Sequence, residues 1–186
     1  LHPVAHSFPT RRSSDLRQMD VEDPLIDCIR KAAAVHDIGK IGIPDSILCK
    51  PGALTKDEYN KMKQHVLIGY QILSQLRTMD NELPLIRHHH ERWDGRGYPD
   101  NIAGDAIPLG ARILAVADAL DAMTSERVYR SAKTVAQAVE IMKEESGKQF
   151  DPAVVLASIE WIQSYGPLAE ITVEHLSGRN EISSAA

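Results

Sequence analysis

At 186 residues, 43% apolar and 25% charged, the chain has the composition of one globular domain long enough to bury a core. A formal charge of −5 and a pI near 5.9 exclude the broad basic surface that long nucleic acid needs. No run approaches the roughly 20 apolar residues of a membrane span, and Cys28 and Cys49 follow no metal or redox spacing, so both are expected to be packing or surface residues in a reducing cytoplasm.

Leu1 to Leu16 carries Pro3, Pro9, Arg11-Arg12 and Ser13-Ser14 without helical or strand period. Ser7 to Leu16 resembles the in-frame translation of a DNA sequencing adapter. Residues 1–16 are therefore expected to be a non-native or disordered segment, residues 17–166 the domain, and residues 167–186 a loosely packed tail.

Within the domain the pattern is helical throughout. Asp23-Pro24 opens a first helix, with Leu25, Ile26, Ile29, Ala32, Ala33 and His36 on one face and Gly39 closing it. Ile43-Pro44 to Pro51-Gly52 reads as a loop. Thr55 and Glu58 then form a capping box for a helix reaching about Leu76, its inward stripe being Met62, His65, Gly69, Ile72 and Leu76. A third helix is expected from about Asn81 to Trp93, followed by the glycine- and proline-rich loop Asp94 to Pro108. Long loops of this kind usually carry function. Leu109 to Thr124 is apolar on nearly every side and predicts a central buried helix. Thr134 with Gln137 caps another, and Asp151-Pro152 starts the last, which ends around Tyr165-Gly166.

Several polar residues stand where apolar ones belong. His65 lies in an apolar stripe, where an imidazole must find a hydrogen-bond partner or a metal. Asp118 lies in the most apolar helix, so its carboxylate should meet a cation, with Arg112 or another arginine as a candidate. Taken singly, His36-Asp37 could merely decorate a helix end, and His88-His89-His90 could be a solvated face. Together they place imidazoles and carboxylates on three helices and a buried acid on a fourth, the donor set of iron, manganese or zinc. Adjacent residues point about 100° apart on a helix, so His36-Asp37 or His89-His90 could each serve two neighbouring metals.

The strings that carry this chemistry are His36-Asp37-Ile38-Gly39-Lys40, Ile43-Pro44-Asp45, Lys50-Pro51-Gly52-Ala53-Leu54-Thr55, His89-His90-Glu91-Arg92-Trp93-Asp94-Gly95-Arg96-Gly97-Tyr98-Pro99 and Asp118-Ala119-Leu120-Asp121-Ala122-Met123-Thr124-Ser125-Glu126-Arg127. In order and spacing, from roughly Arg17 to Trp161, they resemble the HD-GYP family of the HD phosphohydrolase superfamily. The resemblance implies an all-α helical bundle with a Gly-Tyr-Pro loop. It also implies a metal-dependent phosphodiesterase that opens cyclic di-GMP to pGpG, in some members onward to GMP. The implied metal ligands are His36, Asp37, His65, His89, His90 and Asp118, holding two or three divalent ions, iron-type with manganese as a substitute. Asp37 and Lys40 are the implied catalytic residues. Lys40 could hold a phosphate oxygen, ligate a third metal or protonate the leaving 3′-oxygen.

Substrate binding falls by the same resemblance to Gly97, Tyr98, Arg127 and Arg130. Tyr98 could stack or hydrogen-bond with a guanine, and the arginines could hold phosphate. The competing readings are a turn that covers the core and solvated helix ends. Family members bring a further helix upstream of His36 with another histidine, and in trinuclear members a glutamate. That helix is expected to be truncated here, His2 and His6 lying in no plausible helix, which would leave an N-terminally incomplete copy of doubtful activity. A receiver or sensor module upstream in the parent protein is a further implication. Two rival readings are an HD phosphohydrolase acting on another nucleotide, against which Gly97-Tyr98-Pro99 argues, and a non-catalytic signalling module, against which the intact ligand set argues.

Overall fold

Asp23 opens α1 (Asp23–Val35), with Pro24 in its first turn, where a missing N–H costs nothing. Ile26, Ile29, Ala32 and Ala33 are buried along one face as their spacing requires. The structure is a computed structural model that describes residues 23–126 and 131–164. Its architecture is all-helical, with a single isolated bridge, Ser146 to Phe150, as the β pairing among the described residues.

The first helix does not reach Gly39 but ends at Val35, and a tight 3-10 turn, Ile38–Gly42, follows. The stretch expected as a loop contains a short helix, α2 (Asp45–Leu48). The Thr55–Glu58 capping box is present at the start of α3 (Lys56–Lys63). The expected single helix is interrupted at Gln64, whose amide bonds only three residues back to Lys61, and continues as α4 (His65–Leu73). Ending at Leu73 takes Leu76 off the helix, and Ile72 and Leu76 are exposed rather than inward.

The third helix, α5 (Leu83–His88), is shorter than its pattern suggested, because the chain turns at His89 and His90. The loop that follows carries one 3-10 turn, Gly104–Ala106, and leads to α6 (Leu109–Thr124), which has the expected bounds. Thr134 and Gln137 cap α7 (Val135–Glu144) with a second capping box, and α8 (Pro152–Ser164) follows Asp151, whose Oδ1 accepts from the Ala153 amide. Residues 1–22 and 165–186 lie outside the described residues, as do Arg127 and Arg130.

Helix α6 runs through the centre of the packing against α1, α5, α7 and α8. Gly110 makes that approach possible, since a Cβ there would meet Leu85 Cδ2 at 2.6 Å and Ile29 Cγ1 at 3.1 Å. Ile86 of α5 and Leu114 of α6 are fully buried, each contributing about 1.5–3 kcal/mol by burial. Arg112 does not reach Asp118. Its guanidinium bonds Asp151 at 2.7 Å and Asp105 at 3.0 Å and lies over Trp93, so it ties the loop to the start of α8. Cys28 is buried and its Sγ donates to the Asn81 carbonyl, whereas Cys49 is exposed.

Candidate metal centre

Three helix ends converge. The last carbonyls of an α-helix lack intrahelical partners, and at each of these ends a histidine supplies one. His36 Nδ1 bonds the Ala33 carbonyl at 2.9 Å, His65 Nδ1 bonds the Met62 carbonyl at 2.7 Å, and His89 Nδ1 bonds the Ile86 carbonyl at 2.7 Å. A carbonyl oxygen can only accept, so Nδ1 carries the proton in each ring. The lone pair of the neutral imidazole therefore sits on Nε2. All three rings are buried, and Nε2 of His65 and of His89 has no hydrogen-bond partner among the described residues.

Those inward nitrogens face acids. Asp37 Oδ1 lies 3.5 Å from His65 Nε2, while Asp37 Oδ2 lies 3.6 Å from His36 Nε2. His36 Nε2 is in turn 3.7 Å from Asp118 Oδ1. One ligand atom each from Asp37, His65, His89 and His90 fall within 4.8 Å of one another. The ring centroids of His36 and His89 are 5.0 Å apart, and those of His89 and His90 are 4.0 Å apart. Thus all six residues expected as ligands are brought together, in two groups that share Asp37.

The local path differs from the one expected. His36-Asp37 and His89-His90 are not splayed on continuous helix but stand just past the ends of α1 and α5. What turns Asp37 toward His65 is the contact of the 3-10 turn with α4, where a Cβ on Gly39 would overlap the His65 carbonyl oxygen and the Gly69 nitrogen. Gly39 is thus required at a close backbone crossing, where a Cβ on Gly69 would also sit tightly, 3.3 Å from the Gly39 nitrogen. The same close approach repeats at Gly97, whose Cβ would overlap the backbone of Glu91 and Arg92.

Electrostatics fit a cation site. Burial holds His89 well below the usual imidazole range and takes His90 down to about 3, so both rings are neutral at physiological pH, as ligands must be. Burial also lowers His65. Burial opposes ionisation of Asp37, but the Lys40 ammonium, 2.5 Å from Oδ2, together with His36 brings it to about 2. Burial would lower His36 too, yet the Asp118 carboxylate 3.7 Å away and the charge of Asp37 carry it upward. That proton and a divalent cation answer the same need, a positive charge between two carboxylates. The orphaned Nε2 atoms, the neutral rings and the oxygen-nitrogen donor set all suit a borderline divalent ion.

Tyr98 closes one side. Its ring stacks on His90 with centroids 4.9 Å apart, its amide donates to the His90 carbonyl at 3.2 Å, and the Tyr98–Pro99 peptide is cis. Asn101 Nδ2 donates to the Gly97 carbonyl, and Asp100 accepts two bonds of 2.8 Å from Arg87, so the loop is held at several points. His88, the first of the three-histidine run, does not join the centre. It faces Asp100 at 3.5 Å and the buried Glu91 at 4.0 Å, and Glu91 accepts from the Asp100 amide at 2.6 Å. The burial of Glu91 and the crossing at Gly39 escaped the sequence reading, since neither depends on local periodicity.

Comparison with known proteins points the same way. A model of the HD domain family matches residues 11–154. The cyclic di-GMP phosphodiesterase response regulator RpfG of Xanthomonas campestris pv. campestris is 48% identical over 140 residues, covering 74% of this chain and 37% of that protein. A cyclic di-GMP phosphodiesterase of Thermotoga maritima is 44% identical over 145 residues, 77% of this chain and 39% of that protein. The 3′3′-cGAMP-specific phosphodiesterase 3 of Vibrio cholerae is 39% identical over 153 residues, 81% of this chain and 33% of that protein. The chain thus spans between 33% and 39% of the length of these relatives. A crystal structure of a cyclic GMP-AMP specific phosphodiesterase of V. cholerae (V-cGAP3) superposes with a TM-score of 0.62 at 19% identity, covering 80% of this chain and 41% of that one, which shows a shared fold.

Proposed function

The chain belongs to the HD domain family, and we propose that it is the hydrolase domain of a metal-dependent cyclic di-GMP phosphodiesterase of the HD-GYP type, which yields pGpG, and in some members GMP, in second-messenger signalling. The observation that carries this reading is the two-sided use of Asp37, one oxygen toward His65 and the other toward His36. A carboxylate so placed can serve two ions at once. Asp37, His65, His89 and His90 would hold one, and Asp37, His36 and Asp118 another. Two or three ions, iron with manganese as a substitute, fit a set of imidazoles and carboxylates without thiolates. Divalent ions held there would acidify a water for in-line attack at phosphorus and neutralise charge on the phosphoryl oxygens.

The chain's own groups do the rest. Nδ1–H bonds to the three helix-end carbonyls fix the ring orientations before any ligand arrives, which is preorganisation of the donors. The Lys40 ammonium beside Asp37 supplies positive charge where negative charge develops, either on a phosphate oxygen or on the departing 3′-oxygen, which it can protonate. Tyr98, stacked on His90 and half-buried, offers its ring edge and hydroxyl to a guanine, and Gly97 keeps the loop close to Glu91. Arg127 and Arg130 complete the proposed substrate contacts. The response-regulator relative supports a receiver or sensor module as regulatory partner in the parent protein.

The test is direct. Protein loaded anaerobically with iron or manganese is offered cyclic di-GMP and, because one relative is named for it, 3′3′-cGAMP, and linear product is followed by chromatography. Metal-replete protein that leaves cyclic di-GMP intact would sink this reading.

A further inference from the structure

Beyond Tyr98 stands a cation that the six-ligand centre does not use. Lys63, in the last turn of α3, holds its ammonium 5.8 Å from the Tyr98 ring centroid and 5.3 Å from that of Tyr59. Lys40 and Lys50 pair with Asp37 and Glu58, but no carboxylate among the described residues lies within ion-pair distance of Lys63. It is half-buried, two residues before His65, so its backbone is carried by the same helix end that orients a candidate ligand. A partly desolvated lysine held over aromatic faces and lacking a counter-charge is a ready site for an anion.

A cyclic dinucleotide carries two phosphodiesters on opposite sides of one ring. While one is at the metal ions, the other needs a counter-charge outside them. We infer that Lys63 holds the second, uncleaved phosphodiester of a cyclic dinucleotide, with Tyr98 as the wall between that phosphate and the metal centre. This rests on the cyclic dinucleotide phosphodiesterase reading and adds to it a specificity-determining residue for substrates with two phosphates.

Lys63→Met, Lys63→Arg and wild type would be compared on cyclic di-GMP and on bis(p-nitrophenyl) phosphate, a diester with a single phosphate, with metal content measured on each. Loss of one charged contact is expected to raise KM for cyclic di-GMP about tenfold or more in Lys63→Met. kcat should stay within about twofold, and Lys63→Arg should recover most of the KM. Cleavage of the single diester should be unchanged. Lys143→Met, which removes an exposed lysine paired with Glu140, is the control and should match wild type on both substrates. An unchanged KM for cyclic di-GMP in Lys63→Met overturns the inference, and so does an equal loss on both substrates, which would mark Lys63 as a support of the centre. Wild type that cleaves the single diester but not cyclic di-GMP would instead overturn the functional reading beneath it.

Discussion

Gly39 passes His65 so closely that a methyl group on Gly39 would overlap the His65 carbonyl oxygen. This crossing holds Asp37, two residues earlier, with Oδ1 3.5 Å from His65 Nε2. Gly39→Ala must push the 3-10 turn away from α4. Overpacking of this kind costs about 1–3 kcal/mol, and in a chain of this size each kcal/mol lowers Tm by about 2–4 °C. Metal content should fall along with Tm while helical circular dichroism is retained. Full metal loading with an unshifted Tm would show that the crossing does not position Asp37.

The three-histidine run divides by orientation. His89 points Nε2 into the cluster, whereas His88 faces Asp100 and Glu91. His89→Ala is expected to weaken metal binding by more than about 100-fold, beyond the 10–100-fold typical of losing a mere supporting contact. His88→Ala should leave metal content at the wild-type level. Equilibrium dialysis with manganese separates the two, and equal losses would contradict the division.

Asp37→Ala removes the only carboxylate among the described residues that faces both His36 and His65. Stabilisation worth several kcal/mol should go with it, a fall in turnover of about a thousandfold or more. Helix content should be unchanged because Asp37 lies outside α1. A variant that retains wild-type turnover would refute the assignment of Asp37.

Glu58 offers a check on the fold away from the centre. Hydrogen bonds from Lys50 Nζ and the Thr55 amide hold its carboxyl down at about 2, against 4.5 for a free glutamate. A depressed folded value means that the ionised group stabilises the fold at pH above 4.5, and that this contribution is lost as pH falls toward 2. The Tm gap between wild type and Glu58→Gln should therefore be flat above about pH 5 and close progressively below it. High salt should shrink it, since the pair is near the surface. A gap independent of pH would mean that the ionised carboxylate contributes nothing.

Much of this was legible in the sequence because it is local. Both capping boxes, the bounds of α6 and the start of α1 follow from side chains that bond backbone groups three residues away or from apolar spacing along one helix. The clustering of imidazoles and carboxylates was legible too, since such residues standing at apolar positions along several helices must find partners in the interior. Elsewhere the structure departs from the local pattern. The apolar stripe runs on to Leu76, but the helix ends at Leu73 and leaves Ile72 and Leu76 exposed. Asp118 was expected to meet a cation, with Arg112 as one candidate; Arg112 is engaged by Asp105 and Asp151, and Asp118 faces His36.

By itself, then, the sequence determined an all-helical chain with six ligand-type residues and a Gly-Tyr-Pro loop. Periodicity, capping and residue chemistry are properties of neighbouring residues, and they survive without a fold. Only the tertiary structure decided which ring nitrogen faces inward, which of the three consecutive histidines stays out, and that Asp37 serves two sides. Those are set by helix ends meeting across long stretches of chain, at backbone crossings such as Gly39 against His65 that no local pattern records.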